Sequence, residues 1–167
     1  MIWIIIITIL IFLLYLSNKG NADMKNVKKY GGLKNKYRLL INNIMSRNSF
    51  YQFQEINANN IRITNTGMVF RLIEMDKKLQ VIWNWESFTT GQIHKLVWNF
   101  DENENQDKMY ETIDRDMKIQ NFVDDGMTKQ QATDWLKISY CDDKQKQEQL
   151  IDIFSKKYPD LWSKMFG

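Results

Sequence analysis

Residues that carry much of protein chemistry are scarce in this chain of 167 residues, which contains one cysteine, Cys141, and one histidine, His94. A single cysteine excludes an intramolecular disulfide framework. It favours a reducing compartment, although an exported domain poor in cysteine would show the same composition. A single histidine excludes a histidine-rich zinc site and a helix with two histidine ligands.

Neither of these two residues stands in a pattern typical of a catalytic centre. His94 lies in a predicted strand, and no serine or cysteine is spaced to pair with it as a nucleophile. Cys141 precedes Asp142 and Asp143, and neighbouring carboxylates disfavour the thiolate form that a cysteine nucleophile needs. The sequence therefore predicts no catalytic residue, and the chain is interpreted as a protein that is not an enzyme.

Motifs for phosphate groups, cofactors and metals are also missing. Gly31-Gly32 does not follow a strand, so it is no phosphate loop. Asp76-Lys77-Lys78 has no acidic partner on a neighbouring strand that would complete a metal-nuclease site, and a polar hairpin turn is the simpler interpretation. Glu111 and Asp114 share a helix face but are spaced unlike a calcium loop. No cofactor and no metal are predicted.

Charge is absent from the first sixteen residues, and the run from Ile2 to Leu16 contains one markedly polar residue, Thr8, whose hydroxyl a helix satisfies locally. At about 1.5 Å per residue the run is slightly shorter than a hydrocarbon core of roughly 30 Å. Bilayer thinning would accommodate the difference. We therefore predict a transmembrane anchor over residues 1–17, which contacts lipid through Ile2, Trp3, Ile9, Phe12, Tyr15 and Leu16.

Positive charge follows the apolar run directly. Residues 17–50 contain eight basic residues and one acidic residue, a net charge of +7, so the rest of the chain carries −4. This bias predicts a single-pass protein of the cell membrane whose domain lies in the cytoplasm. Residues 18–32 are expected to form a basic flexible linker. The lysines of this linker are Lys19, Lys25, Lys28 and Lys29. They either contact anionic lipid headgroups or only set the topology.

A secretory signal peptide is the alternative interpretation of the same segment. Gly20 and Ala22 supply the small residues of a cleavage site, and cleavage would release an exported soluble domain of residues 23–167. However, a signal peptide has basic residues before its apolar run, and none precedes the run here.

Residues 33–167 are predicted to form one α+β domain with helices packed on a sheet. Apolar spacing predicts a helix from Leu33 to about Asn48, and alternation then predicts four or five antiparallel strands. Met68–Met75 and Leu79–Glu86 form the best hairpin candidate, and a further strand covers Gln92–Phe100. Three C-terminal helices follow; the caps predicted for them are Gly126 and the Thr128/Gln131 capping box.

Trp83 and Trp85 share one face of a predicted strand, and Trp98 can join them from an adjacent strand. The favoured interpretation is a core between sheet and helices. Were part of the cluster exposed, it would be a candidate interaction surface for a protein partner. Nucleic acid is not expected as a partner because residues 51–167 are net acidic.

These observations together predict a membrane-anchored, non-enzymatic interaction domain, with an adaptor or inhibitor role. Its partners would be membrane lipids and a protein that the sequence does not identify. The exported domain is the first alternative. A hydrolase or nuclease that uses Glu111 or Asp114 is the second.

Overall fold

The computed structural model describes the backbone of residues 2–87 and 91–166, and the side chains of that range except residues 2 and 16–23. It divides into two compact units, Met1–Tyr110 and Glu111–Gly167. The division falls inside the range 33–167, which the sequence predicts as one domain. The architecture is α+β: the first unit holds a five-stranded antiparallel sheet, and the second is helical.

The first helix, α1, covers Ile2–Lys29 without interruption. Residues 18–29 are therefore helical, and the prediction of a flexible linker there is wrong. The helix ends at a glycine, because Gly31 has a φ of +79° and the amide of Gly32 donates to the carbonyl of Val27 over 3.1 Å. This is the left-handed cap that glycine forms without a steric penalty. Within the described residues no helix is both long and apolar enough to cross a membrane.

Two short helices, α2 (Leu33–Lys36) and α3 (Arg38–Ser46), replace the one helix predicted from Leu33 to about Asn48. The break lies at Tyr37, whose φ of −114° and ψ of 38° are not helical. Its side chain is only 1% exposed, so the chain turns where a large ring is packed into the core. The periodicity of the apolar residues survives the break, which is why the sequence predicts a single helix.

The sheet contains β1 (Gln52–Asn57), β2 (Asn60–Asn65), β3 (Met68–Met75), β4 (Lys78–Glu86) and β5 (Ile93–Asp101). Each strand pairs antiparallel with the next, in the order β1-β2-β3-β4-β5. The predicted hairpin is confirmed in β3 and β4, where Met75 pairs with Lys78. Asp76 and Lys77 turn the chain with φ values of 53° and 59°.

The two faces of the sheet differ sharply in burial. The buried residues alternate along β4 and along β3 from Phe70 to Glu74, as the alternation of apolar and polar residues predicts, and Ile61 and Ile63 of β2 belong to the same buried face. Helices α1 and α2 contact β3 and β2, respectively. We call the opposite side of the sheet the outer face; it includes Arg62, Arg71, Ile82, Asn84 and Val97.

Helix α4 (Gln106–Asp124) begins in the first unit and ends in the second. The second unit continues with α5 (Lys129–Ser139), α6 (Lys144–Lys157) and α7 (Pro159–Phe166), so the part of the chain after β5 has four described helices where the sequence predicts three. Two caps are confirmed. Gly126, at a φ of +99°, follows α4, and Thr128 forms the full capping box with Gln131. Ile119, Ala132 and Leu136 form a core of this unit.

Candidate functional site

The apolar end of α1 lies uncovered. All thirteen side chains from Trp3 to Tyr15 are exposed, and the large apolar ones range from 41% at Ile6 to 76% at Trp3. Of the residues predicted to contact lipid, Trp3, Ile9, Phe12 and Tyr15 belong to this stretch, whereas the side chains of Ile2 and Leu16 lie outside the described set. The hydroxyl of Thr8 donates to the carbonyl of Ile4 over 2.8 Å, which is the local hydrogen bond that the sequence predicts.

The other end of α1 is packed into the first unit. Val27 is completely buried, and the side-chain amide of Asn26 donates to Oε2 of Glu102 over 3.1 Å. Lys25, Lys28 and Lys29, which flank these two residues, are exposed, whereas the side chain of Lys19 is outside the described set. One continuous helix therefore carries an apolar segment at one end and, at the other end, packed residues interspersed with exposed lysines.

A charged cluster that the sequence analysis missed lies beneath the sheet. Nζ of Lys36 is 2.7 Å from Oε1 of Glu74 and 2.8 Å from Oε2 of Glu102. The side chains of Lys36 and Glu74 are 7% and 1% exposed, so the pair is buried. Glu74 occupies the same strand phase as the buried Phe70 and Leu72. An acidic residue at a core position of β3 was the signal that could have found the cluster.

Hydrogen bonds favour the charged forms of Lys36 and Glu102 in this cluster. Burial alone lowers the pKa of Lys36, but hydrogen bonds to Glu102 and Glu74 outweigh burial and raise it. The hydrogen bond from Lys36 lowers the pKa of Glu102. Burial, followed by the charge of Glu74, raises the pKa of the Tyr37 hydroxyl.

The cluster ties secondary-structure elements of the first unit together. Lys36 joins α2 to Glu74 in β3 and to Glu102, and α1 adds Asn26. Among the described residues, no partner reaches the hydroxyl of Tyr37 or Oε2 of Glu74. Leaving these atoms unpaired costs free energy.

The three tryptophans predicted as core or partner surface are buried. Trp83, Trp85 and Trp98 are 1%, 5% and 8% exposed, so they form part of the core. Trp83 and Trp85 stack with ring centroids 3.8 Å apart. The stack continues on one side to Phe70 and on the other to His94, 5.1 Å from Trp85. The side chain of His94 is thus a half-buried member of an aromatic row.

The remaining candidates for chemistry lie on α4 and just after α5. Glu111 is exposed, while the carboxylate of Asp114 lies 2.8 Å from Nζ of Lys118 and accepts a hydrogen bond from the hydroxyl of Tyr140. Sγ of Cys141 faces the carbonyl of Asp143 at 3.5 Å. Over the described residues no three His, Cys, Asp or Glu side chains gather closely enough to hold a metal ion.

The helical unit contains a second cluster, centred on Asp134. Its carboxylate accepts hydrogen bonds from Lys157 and Lys137 and from the Tyr158 hydroxyl, at 2.9, 3.2 and 3.0 Å. Burial would raise the pKa of Asp134, but these hydrogen bonds and one from Gln130 together lower it. The cluster fastens α5 to the end of α6. A shallow groove of about 190 Å³ lies beside it, with an apolar floor that includes Leu150, Ile153 and Phe154.

Comparison with known proteins adds no assignment. The sequence matches no protein-family model, and searches of curated proteins and of solved structures find no significant similarity.

Proposed function

We propose that this chain is a membrane-tethered, non-enzymatic interaction domain. The observation that carries the proposal is the exposed apolar stretch of α1, which continues as one helix into a folded unit. Contiguous apolar surface of this size on a water-soluble protein marks a membrane or protein interaction site. Each large apolar side chain gains about 1.5–3 kcal/mol when it leaves water completely. Twelve such side chains on all sides of a helix favour insertion into lipid.

The proposed attachment is a single-pass anchor over residues 1–17. The stretch Trp3–Tyr15 alone covers about 20 Å as a helix, less than a hydrocarbon core of about 30 Å. A span therefore needs the flanking residues and local thinning of the bilayer. Trp3 and Tyr15 stand at the two ends of the stretch, as residues of the membrane interface do.

The orientation follows from the lysines beyond the apolar stretch. Lys25, Lys28 and Lys29 are exposed on the same helix, and the positive-inside tendency places them and the domain in the cytoplasm. Near anionic lipid each lysine contributes about 1 kcal/mol to membrane binding. Because α1 is continuous and Val27 is buried, the helix also holds the first unit at a defined distance from the membrane.

An interaction role, as adaptor or inhibitor, accounts best for a folded domain of this kind at a membrane. The hydrolase or nuclease alternative relies on Glu111 or Asp114, and of these two Asp114 is already engaged by Lys118 and Tyr140. A crosslinking survey of the full chain in cells tests the role. Specific partner proteins are expected at the membrane, and a survey that finds none contradicts an adaptor or inhibitor.

Membrane attachment is tested with a C-terminally tagged chain in intact cells, by carbonate extraction of membranes and by protease accessibility. The tagged chain should resist carbonate and should be digested only after the membrane is opened. In Ile9→Asp/Phe12→Asp each charge costs about 3 kcal/mol at the centre of a membrane helix, so this variant should be released. The matched control Ile9→Leu/Phe12→Leu should remain bound.

Three outcomes distinguish the alternatives. A shortened soluble product that begins near residue 23 indicates a cleaved signal peptide and an exported domain. A full-length tag that is digested in intact cells indicates the reverse orientation. Release of the unmodified full-length chain by carbonate, to the same extent as the charged variant, overturns the anchor.

A further inference from the structure

Two arginines face each other on the outer face of the sheet. Arg62 of β2 and Arg71 of β3 are direct partners in the antiparallel register, and both side chains are exposed. Like charges directly opposite each other destabilise a pair of strands. Within the part of the chain that the structure describes, neither guanidinium forms an ion pair with an acidic side chain. The two positive charges thus lie side by side without compensation.

One of these guanidinium groups is hydrogen-bonded to a buried side chain on the same face of the sheet. Nε of Arg71 donates to Oδ1 of Asn60 over 3.3 Å, and Asn60 is only 7% exposed. A buried amide therefore fixes the direction of the Arg71 side chain through Nε. The two terminal nitrogens of the same guanidinium are left for other partners, and these are the nitrogens that grip an oxyanion in a fork.

A depression of about 420 Å³ lies over this pair. Its lining consists of the two arginines, Asn84 and two apolar side chains, Ile56 and Val69. No acidic side chain lines it, so its charge is +2, and Asn84 adds an amide that can donate a hydrogen bond. On the other side of Arg71, its partner in β4 is Ile82, which contributes no charge.

We propose that this depression binds a phosphate group through Arg62 and Arg71. Direct antiparallel partners have Cβ atoms about 5 Å apart, so two guanidinium groups can hold one phosphate between them. A phosphate monoester carries about −1.5 to −2 at neutral pH, which matches the +2 of the site, whereas a carboxylate carries −1. Arginine provides the planar fork that this recognition uses. The apolar residues beside the pair, Ile56 and Val69, suit a phosphate ester whose carbon-containing group contacts them.

The first test measures inorganic phosphate binding to the full chain in detergent micelles, by the arginine Nε–H signals in NMR spectra. Saturable binding is expected, with acetate at least tenfold weaker. Arg62→Gln and Arg71→Gln should each weaken phosphate binding at least tenfold, and Arg71→Lys should weaken it severalfold because the fork is lost. Lys78→Gln removes a positive charge from the same face outside the depression and should leave the affinity unchanged.

A thermal-unfolding series checks the same site by an independent readout. Phosphate that binds the folded chain should raise the unfolding midpoint above that in chloride of equal ionic strength. Arg62→Gln should lose this increase while it keeps its fold, because it removes a charge repulsion at an exposed position. Equal weakening in Lys78→Gln, acetate binding as tight as phosphate, or a response that does not saturate would overturn the proposal.

The source of the phosphate is determined by competition in the same micelles. A soluble phosphomonoester, phosphoserine, and a short-chain phosphatidylinositol phosphate are compared as competitors of inorganic phosphate. Tighter binding of the lipid supports a headgroup as the ligand, and tighter binding of phosphoserine supports a soluble or protein-borne phosphate. Failure of both to compete overturns the site. The measurement does not depend on membrane attachment, so either proposal can fail without the other.

Discussion

Lys36 illustrates at the residue scale how a buried charge is retained. Its ammonium lies within 2.8 Å of two carboxylates, and Glu74 beside it is almost completely buried. Taking such ions out of water is costly, and the attraction offsets that cost only when both partners are present. Removal of one partner therefore lowers the stability of the fold, because it leaves the other charge buried without compensation.

Replacement of Lys36 by methionine should lower the free energy of unfolding by about 3–5 kcal/mol, because it leaves the buried Glu74 carboxylate without its cation. Urea unfolding followed by tryptophan fluorescence measures the loss, since Trp83 and Trp85 belong to the same core. The matched control Lys108→Met alters an exposed lysine and should change stability by less than about 0.5 kcal/mol. A loss in Lys36→Met no larger than in the control contradicts the structural role of the cluster.

The pKa directions of the cluster predict a pH window. The pKa of Glu102 is lowered in the folded chain, so its contribution is present above about pH 4.5 and is lost as the pH falls through the folded value. The pKa of Lys36 is raised, so its contribution is present below about pH 10.5 and is lost as the pH rises further. Asp134 adds to the acid limb in the same sense as Glu102.

Glu102→Gln should therefore reduce the stability that is lost as the pH falls below about 4.5. The part of this loss that is due to Asp134 should remain. Unfolding curves at a series of pH values measure this. The matched control is the exposed Glu104→Gln, which should reproduce the profile of the unmodified chain. Identical acid limbs in Glu102→Gln and in the unmodified chain would contradict the assignment.

At the element scale, the hairpin of β3 and β4 is built on a turn that its own residues disfavour. Asp76 and Lys77 both have positive φ, the geometry of a two-residue turn that asparagine and glycine adopt most easily. The strands nevertheless form, because the buried residues of β3, before the turn, and of β4, after it, pack into the core. This turn is an improvable part of the fold.

Asp76→Asn/Lys77→Gly should stabilise the chain by about 0.5–1 kcal/mol, because it places favoured residues at both left-handed positions. Thermal unfolding measures the gain. The matched control is Gly67→Ala in the turn between β2 and β3, where φ is +75° and no atom lies within 4 Å of an added Cβ. That change should destabilise the chain by strain alone, by about 1 kcal/mol. A destabilised Asn-Gly variant would show that the native side chains matter in this turn.

On the scale of the whole molecule, the two compact units have cores of different kinds. The first is a sheet with an aromatic row beneath it, and the second is a small helical core that contains Ile119, Ala132 and Leu136. The division at Tyr110 and Glu111 falls within α4. Composition and apolar content along the chain change little there, so the sequence predicts one domain.

Leu136→Ala should open a cavity in the helical core and cost about 2–5 kcal/mol in that unit. Hydrogen exchange should become faster for the amides of α5 and the second half of α4, while the amides of β3 and β4 keep their protection. The matched control Leu72→Ala, in the sheet, should give the reverse pattern. Equal acceleration throughout the chain in both variants would show that the two units unfold together.

The sequence by itself determined what depends on near neighbours. Alternation located β3, β4 and β5 within a few residues, and the β3–β4 hairpin, the Gly126 cap and the Thr128 capping box follow from residues close in the chain. Local patterns succeed here because a pleat, a helix turn and a cap each involve residues at most five positions apart. Local patterns did not predict the helix over residues 18–29. The composition of this segment is typical of a linker, yet the segment is helical and Val27 within it is buried.

Only the tertiary structure decided which distant residues meet. Lys36 is separated from Glu74 by 38 positions and from Glu102 by 66, and no local pattern encodes their contact. The same holds for the three tryptophans, whose burial depends on helices elsewhere in the chain, and for Arg62 opposite Arg71, which depends on strand register. Register and packing are properties of the assembled sheet, because a shift of one residue would exchange its two faces.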